Sequence, residues 1–312
     1  MEKILTFSMD EAHRGWTVKQ ILQRELGMTA RQISRAKFLP DGIRVSRDGG
    51  SEKVTVRYLP EPGDVLTVKL EESSRASDQL VPLDGTPDIR YEDEDLLLVY
   101  KPAGMVVHPS PGHYGDSLAN LLAGYYRNGP EGLVVRPVGR LDKDTSGLLF
   151  FAKNAAAAYR LEQQRKEGRM RRYYLALTEG VPEPEAGTVE VPIGPVPGEW
   201  MRQEVRQDGA SARTDYRVLA QGEAPETGRY SLVKLKLHTG RTHQIRVHMA
   251  HLGHPLLGDS LYGIAGSGGM TRTALHSYRI ELEQPFTGEA LAFEAEMPED
   301  MGKLSPLQSR DL

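Results

Sequence analysis

Apolar residues along the chain recur at two periods, and the period switches several times between residues 90 and 300. Leu148-Leu149-Phe150-Phe151-Ala152 is a continuous apolar run of the length of a buried strand, and Leu96-Leu97-Leu98-Val99-Tyr100 carries the same signal. The second run stops at Lys101-Pro102-Ala103-Gly104, because proline cannot donate to a ladder and glycine permits a turn. Ser231 to Leu237 alternates apolar and polar, which predicts a strand with one wet face, and Tyr173 to Leu177 reads as another strand.

Between these runs the period becomes helical. Ser117 to Tyr126 places Leu118, Leu121 and Leu122 on one face; Asn154 caps an alanine-rich helix that should end near Gly168; Ile245, Met249 and Leu252 form one stripe within Thr242 to Leu252. Proline and glycine punctuate residues 180 to 200, predicting short strands and an exposed loop.

Residues 1 to 70 have the look of a separate module. Thr29-Ala30-Arg31-Gln32 has capping-box spacing, predicting a helix through Phe38. Turns at Asp41-Gly42 and Pro62-Gly63-Asp64 then lead into strands at Ile43-Arg44-Val45 and Val65 to Leu70. Residues 71 to 88, poor in apolar side chains, read as a linker; 89 to 300 form the larger domain, and 301 to 312 a C-terminal tail.

With 312 residues, 39% hydrophobic and 26% charged, the chain can bury two cores. It has no cysteine, which excludes disulfides, thiolate nucleophiles and the usual structural zinc sites. No run of 18 apolar residues could span a membrane and no signal-type segment opens the chain, so the cytoplasm is the expected location. Net charge is only -4, but it is unevenly spread. Six basic residues face Glu162 and Glu167 between Arg160 and Arg172, whereas Glu281 to Asp300 holds seven acids and no Lys or Arg. Residues 31 to 57 are also net basic. One basic face for a polyanion and an acidic remainder fit this distribution; so does an ordinary charged surface.

Two stretches concentrate chemistry. Arg140-Leu141-Asp142-Lys143-Asp144-Thr145-Ser146-Gly147 is dense in charge and hydroxyls and feeds directly into a buried-type strand, which sets polar groups at the end of a sheet. Asp142 is the candidate reacting group, although Asp144-Thr145-Ser146-Gly147 alone would also make an ordinary turn. Further on, His238, His243, His248, His251 and His254 crowd into seventeen residues. Their spacing argues against a metal: His243 and His248 lie half a turn off a shared helical face, and the helix has no carboxylate. In the alternative reading, Arg246 lies about 100° off the apolar stripe, His243 is opposite the core, and Thr239-Gly240-Arg241-Thr242 offers helix-start amides and Arg241 to a phosphate.

Taken in order, these pieces resemble the RluA-type family of RNA pseudouridine synthases, preceded by an S4-like RNA-binding module. The resemblance runs from about Ile89 to Met297: Glu92 to Asp95, Lys101 to Pro109, Arg140 to Gly147, Tyr174-Leu175-Ala176-Leu177, Thr239 to His248, His254-Pro255 and Leu275-His276. It implies an α+β enzyme with a mixed, mostly antiparallel sheet, and a small helix-then-strand module in front. It implies that Asp142 is the essential carboxylate, Tyr174 the aromatic that packs on the target base, Arg246 the basic partner of Asp142, and Arg140 the side chain that fills the gap left by a flipped uridine. Arg241 and His243 are expected to contact RNA. Each role has a physical rationale, since a stacked uridine cannot be reached and must be extruded onto a platform. Asp144 is better placed to satisfy turn amides. The sequence leaves open whether Asp142 attacks the sugar or the base, or removes a sugar proton.

The implied reaction detaches a base and reattaches it through another atom, so no cofactor or metal is expected. The expected partner is ribosomal or transfer RNA, not DNA or a membrane, with the protein acting as a monomer. The family usually has His where this chain has Gly139, which permits a different backbone entry into the loop. Two rivals belong to other classes: a non-catalytic RNA-binding protein, in which Asp142 would be dispensable, and a metal-dependent hydrolase.

Overall fold

The computed structural model describes residues 2–71, 80–127, 136–199, 201–224, 227–305 and 307. Its N-terminal part opens with strand β1 (Glu2–Ser8), followed by helices α1 (Val18–Arg24) and α2 (Ala30–Phe38) and strands β2 (Ile43–Arg47), β3 (Gly50–Lys53) and β4 (Val65–Glu71). The helix-then-strand order expected from the pattern is present, with β1 added in front of it. All pairings in this sheet are antiparallel, in the order β1-β4-β2-β3.

Thr29 and Gln32 form the capping box that their spacing predicts, and Thr17 and Gln20 form another at the start of α1. Each ties down helix-end amides that would otherwise lack partners. The helices bury Val18, Ile21, Leu22 and Ile33 against Ile43, Leu66 and Val68 of the sheet.

The larger part contains β5 (Asp88–Glu92), β6 (Leu96–Lys101), α3 (Leu118–Tyr125), β7 (Arg136–Pro137), β8 (Ser146–Ala152), α4 (Ala155–Lys166) and β9 (Arg171–Glu179). There follow β10 (Ala186–Val189), β11 (Ile193–Pro195), β12 (Gln203–Val205), β13 (Thr214–Ala224), β14 (Gly228–Leu237), α5 (Gln244–His251), β15 (Leu275–Glu283), β16 (Ala290–Glu294) and α6 (Glu299–Gly302). Among the described residues ten strands make one sheet in the order β10-β13-β14-β9-β15-β8-β6-β5, with β16 joined to β15 and β7 to β8. Among the described residues only β8 and β15 run parallel, so the fold is α+β with a mixed, mostly antiparallel sheet, as expected.

That parallel pair sits at the sheet centre and fixes where the Asp142 loop ends. Gly147 opposes Ser277 there with φ +111, and a Cβ on it would stand 2.1 Å from the Ser277 carbonyl oxygen. Only glycine admits this approach. On either side of β6 and β8 alternate residues feed different cores: Leu97, Val99, Leu149 and Phe151 one, Leu96, Leu98, Leu148 and Phe150 the other. Both faces of these strands are covered, which is why they read as continuous apolar runs rather than alternating ones.

Two expectations change. The alternation from Ser231 to Leu237 predicts one wet face, but on that side Leu232 is covered by a core that includes Met297 and Met301, and Lys234 and Lys236 are half-buried. The expected tail thus begins inside the protein, with Met301 fully buried in α6. Of the expected linker, residues 72 to 79 lie outside the described residues. Residues 80 to 87 follow α3, where the Asn120 side chain donates to the Val81 carbonyl at 2.7 Å and Leu83 N–H to the Asn120 carbonyl at 2.9 Å. No helix among the described residues is long and apolar enough to cross a membrane.

The N-terminal part rests on α4 and the β15–β16 turn. Arg160 donates to the carbonyls of Leu26 at 2.8 Å and Pro285 at 2.7 Å, and Lys3 pairs with buried Asp95 beneath the Phe286 ring.

Candidate active site

The loop before β8 is held from behind by buried cations. Lys101, fully buried at the end of β6, donates its Nζ to the carbonyls of Pro102, Met105 and Lys143 at 2.8, 2.8 and 2.9 Å. Burial pushes its pKa down to about 7, while Asp144 and Asp142 pull it back up. Three carbonyl acceptors match the three protons of an ammonium, one more than a neutral amine carries. From the other side Arg272 donates to the Asp144 carbonyl at 3.0 Å while its Nε and Nη2 hold Asp300. The backbone of residues 142 to 145 is thereby clamped, and the Asp142 carboxylate faces the other way, into a cavity of about 400 Å³.

Across this cavity stands α5. Arg246 Nη1 lies 3.8 Å from Asp142 Oδ2, and His243 Nε2 lies 3.9 Å from the same oxygen. The rest of the Arg246 guanidinium is committed to Asp259, with Nε and Nη2 each donating at 2.7 Å. Asp259 is fully buried and also accepts from the amides of Leu261 and Tyr262. The Tyr262 ring lies 5.0 Å from the guanidinium carbon of Arg246. Its hydroxyl accepts from the Gln203 amide at 2.9 Å and shares a hydrogen bond with His243 Nδ1, also at 2.9 Å. Burial lowers the His243 pKa, with Asp142 opposing, so the imidazole is neutral near pH 7.

His243 differs from the sequence expectation. It is not on the solvent side of the helix but at its N-cap, in left-handed conformation with φ 55, where it turns inward to Tyr262. The Arg241 amide is taken by Gln244 Oε1 at 3.0 Å and is not free for a phosphate, while the exposed Arg241 side chain donates to the Ser211 carbonyl at 2.9 Å. Arg140 is exposed at the cavity rim. Tyr174, on β9, is almost wholly buried and lines the cavity wall, and burial raises its hydroxyl pKa. All six candidate residues therefore border one cavity.

The Asp144 side chain makes no hydrogen bond to turn amides among the described residues; its backbone carbonyl does the bonding, and the turn closes from Thr145 N–H to the Asp142 carbonyl at 3.1 Å. The clustered histidines scatter: His248 bonds Thr214 and the Val191 carbonyl, and His254 the Glu179 carbonyl. No three His, Asp or Glu side chains among the described residues are placed to hold a metal. Sequence reasoning missed Lys101, Asp259 and Tyr262 as parts of the site. The one signal was Gly258-Asp259 ahead of Leu261-Tyr262-Gly263, which reads as a plain turn.

This cavity, at the centre of a mixed sheet with a carboxylate facing an arginine, coincides with the stretch on which similarity to known proteins falls. A family model described as RNA pseudouridylate synthase matches residues 95–251. The chain belongs to that family and is an RNA pseudouridine synthase, an isomerase acting on RNA. It is 42% identical over 253 residues to an uncharacterized RNA pseudouridine synthase, YhcT, of Bacillus subtilis (strain 168), covering 81% of this chain and 82% of that one. It is 41% identical over 224 residues to the ribosomal large subunit pseudouridine synthase D of Nitrosomonas europaea, covering 69% and 63% of the two chains. Among solved structures, human RNA pseudouridylate synthase domain containing 1 superposes with a TM-score of 0.55 at 28% identity, covering 72% of this chain and 89% of that one.

Proposed function

We propose that the protein converts a specific uridine in structured RNA, ribosomal or transfer, to pseudouridine, with Asp142 as the essential carboxylate. The observation that carries this is the pairing of Asp142 with Arg246 on the floor of a cavity also bordered by Tyr174. A carboxylate acts as nucleophile or base in its ionised form, and Arg246 sets a fixed guanidinium 3.8 Å from Asp142. Tyr174 supplies the face against which the extruded uracil packs. Arg140, long, planar and free of ion pairs among the described residues, fills the vacated position in the stack. The base leaves C1′ and returns through C5; no atom is gained or lost, so the reaction draws on no cofactor. Residues 1 to 70 act as an S4-like RNA grip, a reading supported by exposed Arg31, Arg35 and Lys37 along α2. The relative that names a ribosomal large subunit favours ribosomal over transfer RNA as the first place to look. The test is a transcriptome-wide map of pseudouridine with and without the gene, and with the gene restored as Asp142→Asn. A site present only with the wild-type gene fits the reading; an unchanged map removes it.

A further inference from the structure

The cavity is also bordered by Arg172, a cation that makes no ion pair among the described residues. Arg172 is on β9 two residues before Tyr174, so both side chains project from the same face of the strand into the cavity. It is 94% buried, at 6% exposure. Its one hydrogen bond is long, from Nη2 to the Thr239 carbonyl at 3.3 Å, and its Nε has no partner at all. Among the described residues it makes no ion pair; the nearby Glu162 is held by Arg165 through bonds of 2.6 and 2.8 Å. A buried guanidinium left this way costs several kcal/mol unless something else compensates it.

Two glycines, one from each loop bordering the cavity, roof this guanidinium. A Cβ on Gly139 would stand 3.5 Å from Arg172 Nη1, and one on Gly240 would stand 3.4 Å from both Nη1 and Nη2. Both glycines are exposed, so only thin backbone separates the guanidinium from whatever enters. The flanking Arg140 and Arg241 add positive charge at the mouth, while Arg246 is already committed to Asp259 and Arg165 to Glu162. The uncommitted charge in the cavity is thus cationic at this end and carboxylate at the Asp142 end.

We propose that Arg172 is a binding residue for a backbone phosphate of the RNA beside the target nucleotide, an inference that rests on the RNA reading above. A phosphodiester entering between Gly139 and Gly240 meets the free Nη1 of Arg172 and supplies the charge the protein withholds. The extruded nucleotide is then held at two points: its base by Tyr174, its phosphate by Arg172. Guanidinium suits this because its planar fork matches two phosphate oxygens. The residue that stands at position 139 matters for the same reason, since a side chain there would cover the cation.

The experiment uses uridine and uridine 3′,5′-bisphosphate as probes, titrated calorimetrically into the full-length protein. Wild type should bind the bisphosphate about tenfold or more tighter than uridine, as a charge-assisted contact in a sheltered site would give. Arg172→Gln should lose that preference while keeping its uridine affinity, and Arg172→Lys should keep part of it. Gly240→Val leaves the charge in place but covers it from an exposed position, and should also lose the preference. No preference in wild type, or a preference that survives in Arg172→Gln or in Gly240→Val, overturns the assignment. Conversion of uridine is scored separately: a phosphate preference in a protein that forms no pseudouridine would sink the functional reading and not this site.

Discussion

Arg246 divides its guanidinium between two carboxylates of opposite character: Nε and Nη2 bind fully buried Asp259 at 2.7 Å, and Nη1 faces the more accessible Asp142 at 3.8 Å. The buried pair sets the plane of the guanidinium, and the remaining donor is pointed at the group proposed to react. Asp259 is thereby a positioning residue, acting on Asp142 through Arg246 and, by way of the Tyr262 amide, through His243.

Asp142→Asn keeps size and shape and removes the charge. Turnover is expected to become undetectable while RNA affinity changes little, measured by single-turnover pseudouridine formation and by filter binding. Asp144→Asn is expected to be mild, because the Asp144 backbone and not its carboxylate holds the loop. Residual Asp142→Asn activity within about tenfold of wild type, equivalent to ~1.4 kcal/mol of barrier, would remove Asp142 from its role.

Asp259→Asn leaves Arg246 in place with one neutral partner. The saturated rate is expected to fall by about ten- to a hundredfold, as happens when a catalytic group is no longer oriented, with the half-saturating RNA concentration nearly unchanged. Arg246→Lys cannot serve both carboxylates with the same fork and should lose more. A purely structural role for Asp259 would instead lower stability and leave the rate of the folded enzyme intact.

Asp142 stands out in the sequence because a loop dense in charge feeds straight into a strong apolar run, whereas Tyr174 and the partnership of Arg246 with Asp142 rest on the resemblance of their motifs to the family; the structure brings the three to one cavity. Lys101 is not, because a lysine after an apolar run reads as the wet end of a strand; only the return of residues 102 to 105 and 143 over its ammonium buries it. Asp259 and Tyr262 are hidden in turn-forming sequence, and what gives them meaning is proximity to residues more than ten positions away. His243 departs from expectation because helical geometry does not extend to the residue before the helix start, where the backbone turns left-handed. Several strands can be recognised one by one, but β13 and β15 are not among them, and the sheet order depends on the β8–β15 pairing, which joins residues 130 apart.

Gly139 has φ +88, a conformation that costs a residue with a Cβ about 1–2 kcal/mol. Gly139→His is therefore expected to lower unfolding free energy by about that much in urea denaturation. Its imidazole would also stand over Arg172, raising the half-saturating RNA concentration. Unchanged stability would mean that the loop relaxes to negative φ and that glycine is not required here.

His276 ties β15 to the end of the Asp142 loop through the Ser146 hydroxyl at 2.9 Å. Burial lowers its pKa to about 4, and His248 is lowered to about 4 in the same way. Both are neutral in the folded protein and take up a proton more readily once unfolded. Stability from this source is complete above about pH 6.5, the ordinary histidine value, and is lost as pH falls toward 4. The loss for each is on the order of 3 kcal/mol. His276→Asn is expected to flatten the dependence of urea midpoint on pH across that window; an equally steep dependence would rule His276 out as a source.

Removing residues 1 to 79 tests whether the front part supplies affinity and the rest supplies chemistry. The cut belongs there because Val81 and Leu83 are bonded to Asn120 of α3, so a later start would strip that helix. It also takes Lys3 from buried Asp95, uncovers one side of Phe286 and frees Arg160 from the Leu26 carbonyl. Asp95 keeps Asn154 and Gln284 as hydrogen-bond partners, so the truncated protein should fold with a lower Tm. None of the residues bordering the cavity belongs to the removed part, and the saturated single-turnover rate should stay within about tenfold of wild type. Half-maximal rate should need more RNA, and binding should depend less steeply on salt, by about 0.7 to 0.9 in slope for each phosphate that the shortened protein no longer neutralises. A truncated form that folds and binds RNA but whose saturated rate collapses would show that the front part helps build the active site, with the route from Asp95 through β6 to Lys101 as the connection to examine.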